Sequence, residues 1–180
     1  MKLILEGIGE NPDREGLVGT PARVAGSMAE LCRGLNPGAV RKLTTMSCTD
    51  QNELIIVKDI SFASLCEHHL LPYLGRCDVV YLPANDRIAG LGSIVETVEV
   101  MAARPTIQER LTTEIADRLM DELSAKGVMV VMEAEHMCLA MRGVKKRDSR
   151  IVTSAMRGYL KRLETRTEAL ALIGRSFRTI

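Results

Sequence analysis

The stretch TIQERLTTEIADRLMDELSAKGVMVVMEAEHMC, residues 106–138, contains a helix pattern, a break and a strand pattern in succession. Thr106 followed three residues later by Glu109 is the pattern of a capping box, in which each side chain takes up a free backbone N–H at a helix start. Leu111, Ile115, Leu119 and Leu123 then recur every four residues, which lays an apolar stripe along one helix face. The helix is expected to run to about Ala125 and to end at Gly127. Val128 to Val131 begins a β run that continues through Glu133 and Glu135 into His136, Met137 and Cys138.

Working outward, Leu54 to Ile60 and Arg76 to Leu82 read as strands, with Pro83-Ala84-Asn85-Asp86 as the turn after the second. Thr20-Pro21 starts a helix expected over about Ala22 to Leu35, because Thr caps free N–H groups and Pro at the first helical position loses no hydrogen bond. Its stripe is Val24, Met28 and Leu31. A last helix is expected over about Glu164 to Ile173. Strands, two central helices and strands again describe an α+β protein with helices on one face of its sheet. The 180 residues contain no repeat, low-complexity tract or linker, so 1–180 reads as a single domain.

Charge narrows the partners. With 24 Lys and Arg against 23 Asp and Glu, no overall field draws the chain to nucleic acid or to an anionic membrane. Aromatic residues make up 3%, too few for base-stacking platforms. The apolar stretch before Glu6 is too short for a signal segment or a span, which makes a soluble cytoplasmic protein the expectation. Five cysteines, at 32, 48, 66, 77 and 138, follow no framework spacing and point to thiols and metal rather than disulfides.

All three histidines, His68, His69 and His136, lie within three residues of a cysteine. In Cys66-Glu67-His68-His69 the spacing lets a thiolate and an imidazole converge from one turn. His136 and Cys138, two apart on a strand, share a face. Zinc suits such mixed sulfur and nitrogen ligands. Three protein ligands leave a fourth position for a water whose pKa falls to about 7 on the metal. A closed structural site built from Cys66, His69, His136 and Cys138 is the alternative; it would have no use for His68. Cys32, Cys48 and Cys77 read as buried inert thiols, and the ten methionines as core filler.

The sequence resembles the GTP cyclohydrolase I family over nearly its whole length. The segments that carry the resemblance are Gly9-Glu10-Asn11-Pro12-Asp13-Arg14-Glu15-Gly16-Leu17, Thr20-Pro21-Ala22-Arg23-Val24-Ala25, Ser64-Leu65-Cys66-Glu67-His68-His69, Ile107-Gln108-Glu109-Arg110-Leu111-Thr112, and His136-Met137-Cys138 with Arg142-Gly143-Val144. The resemblance implies a tunnelling fold: an N-terminal helical part over 1–50 and a core over 51–180 whose antiparallel sheet is pooled with those of other subunits into a barrel, commonly a homodecamer. It also implies zinc on Cys66, His69 and Cys138, acid–base work by His68 and His136, and a guanine anchor at Glu109 with Gln108 adjacent. Arg23 and Arg142 are the cations kept from its substrate site. The chemistry is consistent, since opening a purine imidazole ring needs an activated water at C8 and a proton at N7. Glu109 suits the guanine N1–H and 2-amino donors, although on spacing alone it serves equally well as a helix cap.

The departures lie at the phosphate end. Where family members read Ser-Lys and then Arg after the Gly-Leu step, this chain has Gly92-Ser93 and Glu96, and a basic residue three after Arg23 is replaced by Gly26. A carboxylate about 6 Å from a phosphate charge costs roughly 3 kcal/mol at an effective dielectric of about 20. Lys145, Lys146, Arg147, Arg150 and Arg157 could rebuild an anion site; a solvated surface run is the simpler reading of them. The expectation is a zinc-dependent cyclohydrolase that opens a guanine-type purine at C8 with formate release, on a substrate with fewer phosphates than GTP. GTP cyclohydrolase I proper, making 7,8-dihydroneopterin triphosphate, is the alternative. The rivals from other classes are a tunnelling-fold nitrile reductase, which the Cys/His clusters oppose, and a non-catalytic binding subunit.

Overall fold

Branched apolar residues in the middle of the chain favour strands, and four-residue stripes in the segments that follow supply the helices that cover them. The structure is a computed structural model describing residues 1–174. In chain order its elements are α1 (Lys2–Gly7), α2 (Thr20–Leu31), β1 (Thr45–Ser47), β2 (Ile55–Cys66), β3 (Pro72–Leu82), β4 (Arg87–Ala89), α3 (Leu91–Ala102), β5 (Pro105–Thr106), α4 (Gln108–Leu123), β6 (Gly127–His136), α5 (Met137–Ala140), β7 (Ile151–Gly158) and α6 (Leu163–Ile173). Five strands form one sheet in the order β5-β2-β3-β6-β7, antiparallel except for the two-residue pairing of β5 with β2. β1 and β4 make a separate small ribbon. Among the described residues no helix is long and apolar enough to cross a membrane.

The alternation along β6 separates two cores. Val128, Val130, Met132 and Ala134 join Ile94 and Val98 of α3 and Leu111, Ile115 and Leu119 of α4 in the main core. Met129 and Val131 face the opposite way, toward Val80, Leu160 and the α6 residues Ala169 and Ile173. Leu111, Ile115 and Leu119 of the α4 stripe are fully buried and Leu123 is half-buried; each of the first three stabilises the fold by about 1.5–3 kcal/mol. The helices α3 and α4 cover one face of the sheet, and α6 covers part of the other.

Several expectations change. Thr106 does not cap α4. It lies buried in β5 opposite Cys66, its hydroxyl donates to the Ile107 carbonyl, and Ile107 takes the capping position without a side-chain bond. The capping box is therefore absent, and Glu109 is left exposed. The helix stops at Ser124, whose backbone is left-handed at φ 48°, and Gly127 opens β6 instead of closing α4. β6 ends at His136, so Cys138 sits in the helical turn α5 and not on the strand. β2 and β3 extend past their apolar runs because Leu65 pairs with Pro72 close to the turn that joins them. The helix expected to Leu35 stops at Leu31, with a 3-10 turn over Arg33–Leu35, and its stripe of Val24, Met28 and Leu31 is not buried by this chain. β7 has mixed polar and apolar residues and no strong sequence pattern; its pairing with β6 creates it.

Candidate active site

β2 delivers Cys66 to the end of the sheet, and a tight turn follows. The Cys66 carbonyl accepts from the backbone N–H groups of His69 at 3.2 Å and Leu70 at 2.8 Å, and Leu70 adopts a left-handed φ of 53°. The turn brings His69 back over Cys66, with Nδ1 3.7 Å from Sγ. β3 lies between β2 and β6 and aligns their ends: Leu65 pairs with Pro72, and Tyr73 pairs with His136. Cys138 follows on α5. The ligand atoms of Cys66, His69 and Cys138 all lie within 4.8 Å of one another.

Two thiols and one imidazole form a donor set that zinc accepts in a three-ligand site. Burial pushes the Cys138 thiol above its ordinary pKa, and the neighbouring Cys66 pushes it further. Two thiols in such a place become thiolates together only if a cation offsets their repulsion, so the residues fit the ion. His136 is not among the converging atoms. Its Nε2 lies 2.8 Å from Gln108 Oε1, and its ring stacks on Tyr73 with centroids 4.5 Å apart and planes within 3°. Burial holds its pKa below the ordinary value, with the Glu109 carboxylate pulling partly the other way. His68 is exposed, 4.0 Å from the Glu67 carboxylate and edge-on to the His69 ring at 6.2 Å.

Glu109 and Gln108 part company. Glu109 is exposed near His136, whereas the Gln108 side chain is buried and bonded to β6 and β7. Arg142 approaches His69, its Nη1 3.1 Å from Nε2. That contact needs a lone pair on Nε2. A metal on His69 would either take that lone pair or, bound at Nδ1, leave the proton on Nε2, so metal binding and this contact exclude each other. Arg23 stands exposed on α2, and among the described residues no ion pair joins it to the others.

The altered phosphate positions are also engaged. Ser93 Oγ donates to the Gly90 carbonyl at 2.7 Å and accepts from Thr44 N–H at 3.2 Å; Glu96 lies 3.8 Å from Arg41. Arg157 is tied to Asp117 and Arg150 lies 3.8 Å from Glu135, which leaves Lys145, Lys146 and Arg147 as the exposed basic residues of that group. Tyr73 and the Arg110 to Glu67 pair, at 2.7 Å, belong to the site's frame and were not singled out by the sequence reading. Arg110 lies next to Glu109 and clamps the turn that carries Cys66 and His69. Only the register that sets Tyr73 against His136 could have exposed the stacking, and register is not written in either segment alone.

A mostly antiparallel sheet whose adjoining strand ends gather a thiol–imidazole–thiol cluster, with a separate oriented histidine beside it, is an α+β frame with the donor set of a three-ligand metal site. The chain belongs to the GTP cyclohydrolase I family, whose model matches residues 1–174, and it is an enzyme of that cyclohydrolase type. Among its relatives, GTP cyclohydrolase 1 of Pelotomaculum thermopropionicum is 51% identical over 96% of this chain and 93% of its own length. That of Carboxydothermus hydrogenoformans is 49% identical over 97% and 91%, and that of Bifidobacterium longum 50% identical over 96% and 87%.

Proposed function

We propose that this chain is a GTP cyclohydrolase I in the strict sense: it hydrolyses GTP at C8, releases that carbon as formate and closes the remainder to 7,8-dihydroneopterin triphosphate. The observation that carries the reading is the convergence of Cys66, His69 and Cys138 beside His136, in a chain about half identical, along nearly its full length, to relatives named for that reaction. The comparisons favour this over the substrate with fewer phosphates that the sequence alone suggested.

Cys66, His69 and Cys138 would hold zinc, which when bound supplies an acidified water for attack on C8. His136 exchanges a proton with the purine ring, and its depressed pKa leaves the imidazole neutral and able to act as a base near pH 7. His68, exposed at the mouth, assists the later C–N cleavage and formate loss. Glu109 accepts from guanine N1–H and the 2-amino group, and Arg142 and Arg23 face the sugar-phosphate tail. Zinc as the resident ion, a cytoplasmic location and a ring-shaped homo-oligomer, commonly a decamer, belong to the same proposal. The β2 edge beyond its two-residue pairing with β5, the β7 edge, both unpaired among the described residues, and the exposed Leu3, Ile4 and Ile8 of the N-terminal segment support the oligomer, because such surfaces need partners.

A second reading is kept because of Glu96 and Ser93. An acidic side chain paired with Arg41, a hydroxyl already bonded to Gly90 and bare space at Gly26 make a poor triphosphate cradle, and favour a guanine nucleoside or monophosphate. Competition among guanosine, GMP, GDP and GTP on the zinc-loaded protein, read as formate released, decides between them. GTP should be preferred. Preference for GMP or guanosine, moved back toward GTP by Ser93→Lys with Glu96→Arg, would overturn the proposal in favour of the second reading. No turnover of any of them would identify a non-catalytic binding subunit.

A further inference from the structure

Gln108 opens α4, and its side chain is buried, with the residue 1% exposed. Its Nε2 lies 3.1 Å from the Met132 carbonyl, 3.0 Å from the Ile151 carbonyl and 3.0 Å from Thr153 Oγ1, while its Oε1 lies 2.8 Å from His136 Nε2. The amide cannot be turned the other way. Two of the three neighbours of Nε2 are main-chain carbonyls, which only accept, so the NH2 group must face them and Oε1 must face the histidine.

The hydroxyls in the same cluster are ordered by the same logic. Thr112 Oγ1 lies 2.7 Å from the Gln108 carbonyl and donates to it. Thr153 Oγ1 lies 2.6 Å from Thr112 Oγ1 and, since the Thr112 proton is already used, donates there while accepting from Gln108. Each hydroxyl proton has one place, and the two Nε2 hydrogens are shared among three acceptors. Oε1 carries none and requires a donor, so the His136 nitrogen that meets it is N–H. A neutral imidazole has one N–H, which leaves Nδ1 bare. The parallel Tyr73 ring holds the imidazole plane, and a ring flip would set a carbon against Oε1.

We propose that Gln108 is a positioning residue that fixes His136 in the Nε2–H tautomer, so that Nδ1 is the nitrogen through which this histidine exchanges protons with substrate. The functional half of the proposal rests on the acid–base reading of His136 given above. Gln108, which the family resemblance places beside the Glu109 guanine anchor, has its amide hydrogens spent on β6 and β7 and its side chain out of reach of solvent. Helix α4 thereby does two jobs one residue apart: Gln108 orients the histidine from behind, and the exposed Glu109 faces outward.

The test uses zinc-loaded full-length protein with imidazole-15N histidine, in which only three side chains contribute. Two-bond and three-bond 1H–15N correlations separate the two neutral tautomers, and His136→Ala assigns the signal. The parent should show His136 as Nε2–H with a bare Nδ1. Gln108→Met should give a tautomer mixture and a kcat lower by about 10-fold to 100-fold, with KM and zinc content nearly unchanged. Gln108→Glu, which keeps an acceptor for Nε2, should retain the Nε2–H signature. A parent in the Nδ1–H form, or an unchanged tautomer ratio in Gln108→Met, overturns the proposal, and the parent spectrum decides alone if the variants fail to fold. Undiminished turnover in His136→Ala would instead overturn the acid–base reading and with it the functional half, leaving the tautomer as a purely structural assignment.

Discussion

Replacing Gly75 by alanine should injure both the fold and the site. A Cβ there would stand 2.0 Å from the Glu133 carbonyl oxygen, 2.7 Å from Ala134 Cβ and 2.8 Å from Ala134 Cα. Ordinary contacts begin near 3.5 Å, so the overlap is roughly 1.5 Å, and it falls on backbone that cannot rotate away. β3 and β6 must separate at the Gly75–Ala134 pair, two residues from the pair formed by Tyr73 and His136. Overpacking costs about 1–3 kcal/mol and each weakened ladder hydrogen bond about 1 kcal/mol, which gives a loss of about 3–5 kcal/mol. For a chain of this size that lowers Tm by roughly 6–20 °C. A shift of about 1 Å at His136 should cut kcat by about 100-fold. Thermal unfolding by circular dichroism, zinc content and formate release measure the three effects. Gly26→Ala is the control for stability: its Cβ meets nothing within 4 Å on the interior of α2, so it should gain about 0.5–1 kcal/mol. A Gly75→Ala protein with parental Tm and kcat would refute the claim that this close approach sets the spacing of the strands that hold the site.

Cys138→Ala should lose zinc, as read by metal analysis of the purified protein, because two remaining ligands hold the ion poorly; full retention would sink the three-ligand assignment. His136→Ala and His68→Ala should keep the metal and lose about 100-fold to 10,000-fold in turnover, with His136 the more damaging, since it is half-buried and oriented by Gln108 while His68 is exposed. Near-parental rates in both would move the proton transfers elsewhere. Sedimentation should find a symmetric ring, because the α2 stripe is only partly covered by the chain and, among the described residues, most of the β2 edge and the β7 edge are unpaired. A stable, active monomer would contradict it.

What the sequence determined by itself was the chemistry-bearing vocabulary and the core of each element. Leu111, Ile115 and Leu119 announced the buried face of α4, and confining three histidines to the neighbourhood of two cysteines marked the thiol–imidazole cluster, because these signals depend on spacing within a few residues. Element ends were less legible. The capping pattern from Thr106 to Glu109 suggested a local bond, but Thr106 is held by strand pairing with Cys66, a partner forty residues away that no local window contains. Cys138 reached Cys66 and His69 from a helical turn where the pattern implied a strand. The orientation of the site belonged wholly to the tertiary structure. The sequence put Gln108 beside the Glu109 anchor, and only the docking of α4 on β6 and β7 turned its amide inward to Met132, Ile151 and His136. Register and helix docking are set by burial summed over the whole sheet, so the residues that meet across it are chosen by distant apolar contacts and not by their own neighbours in sequence.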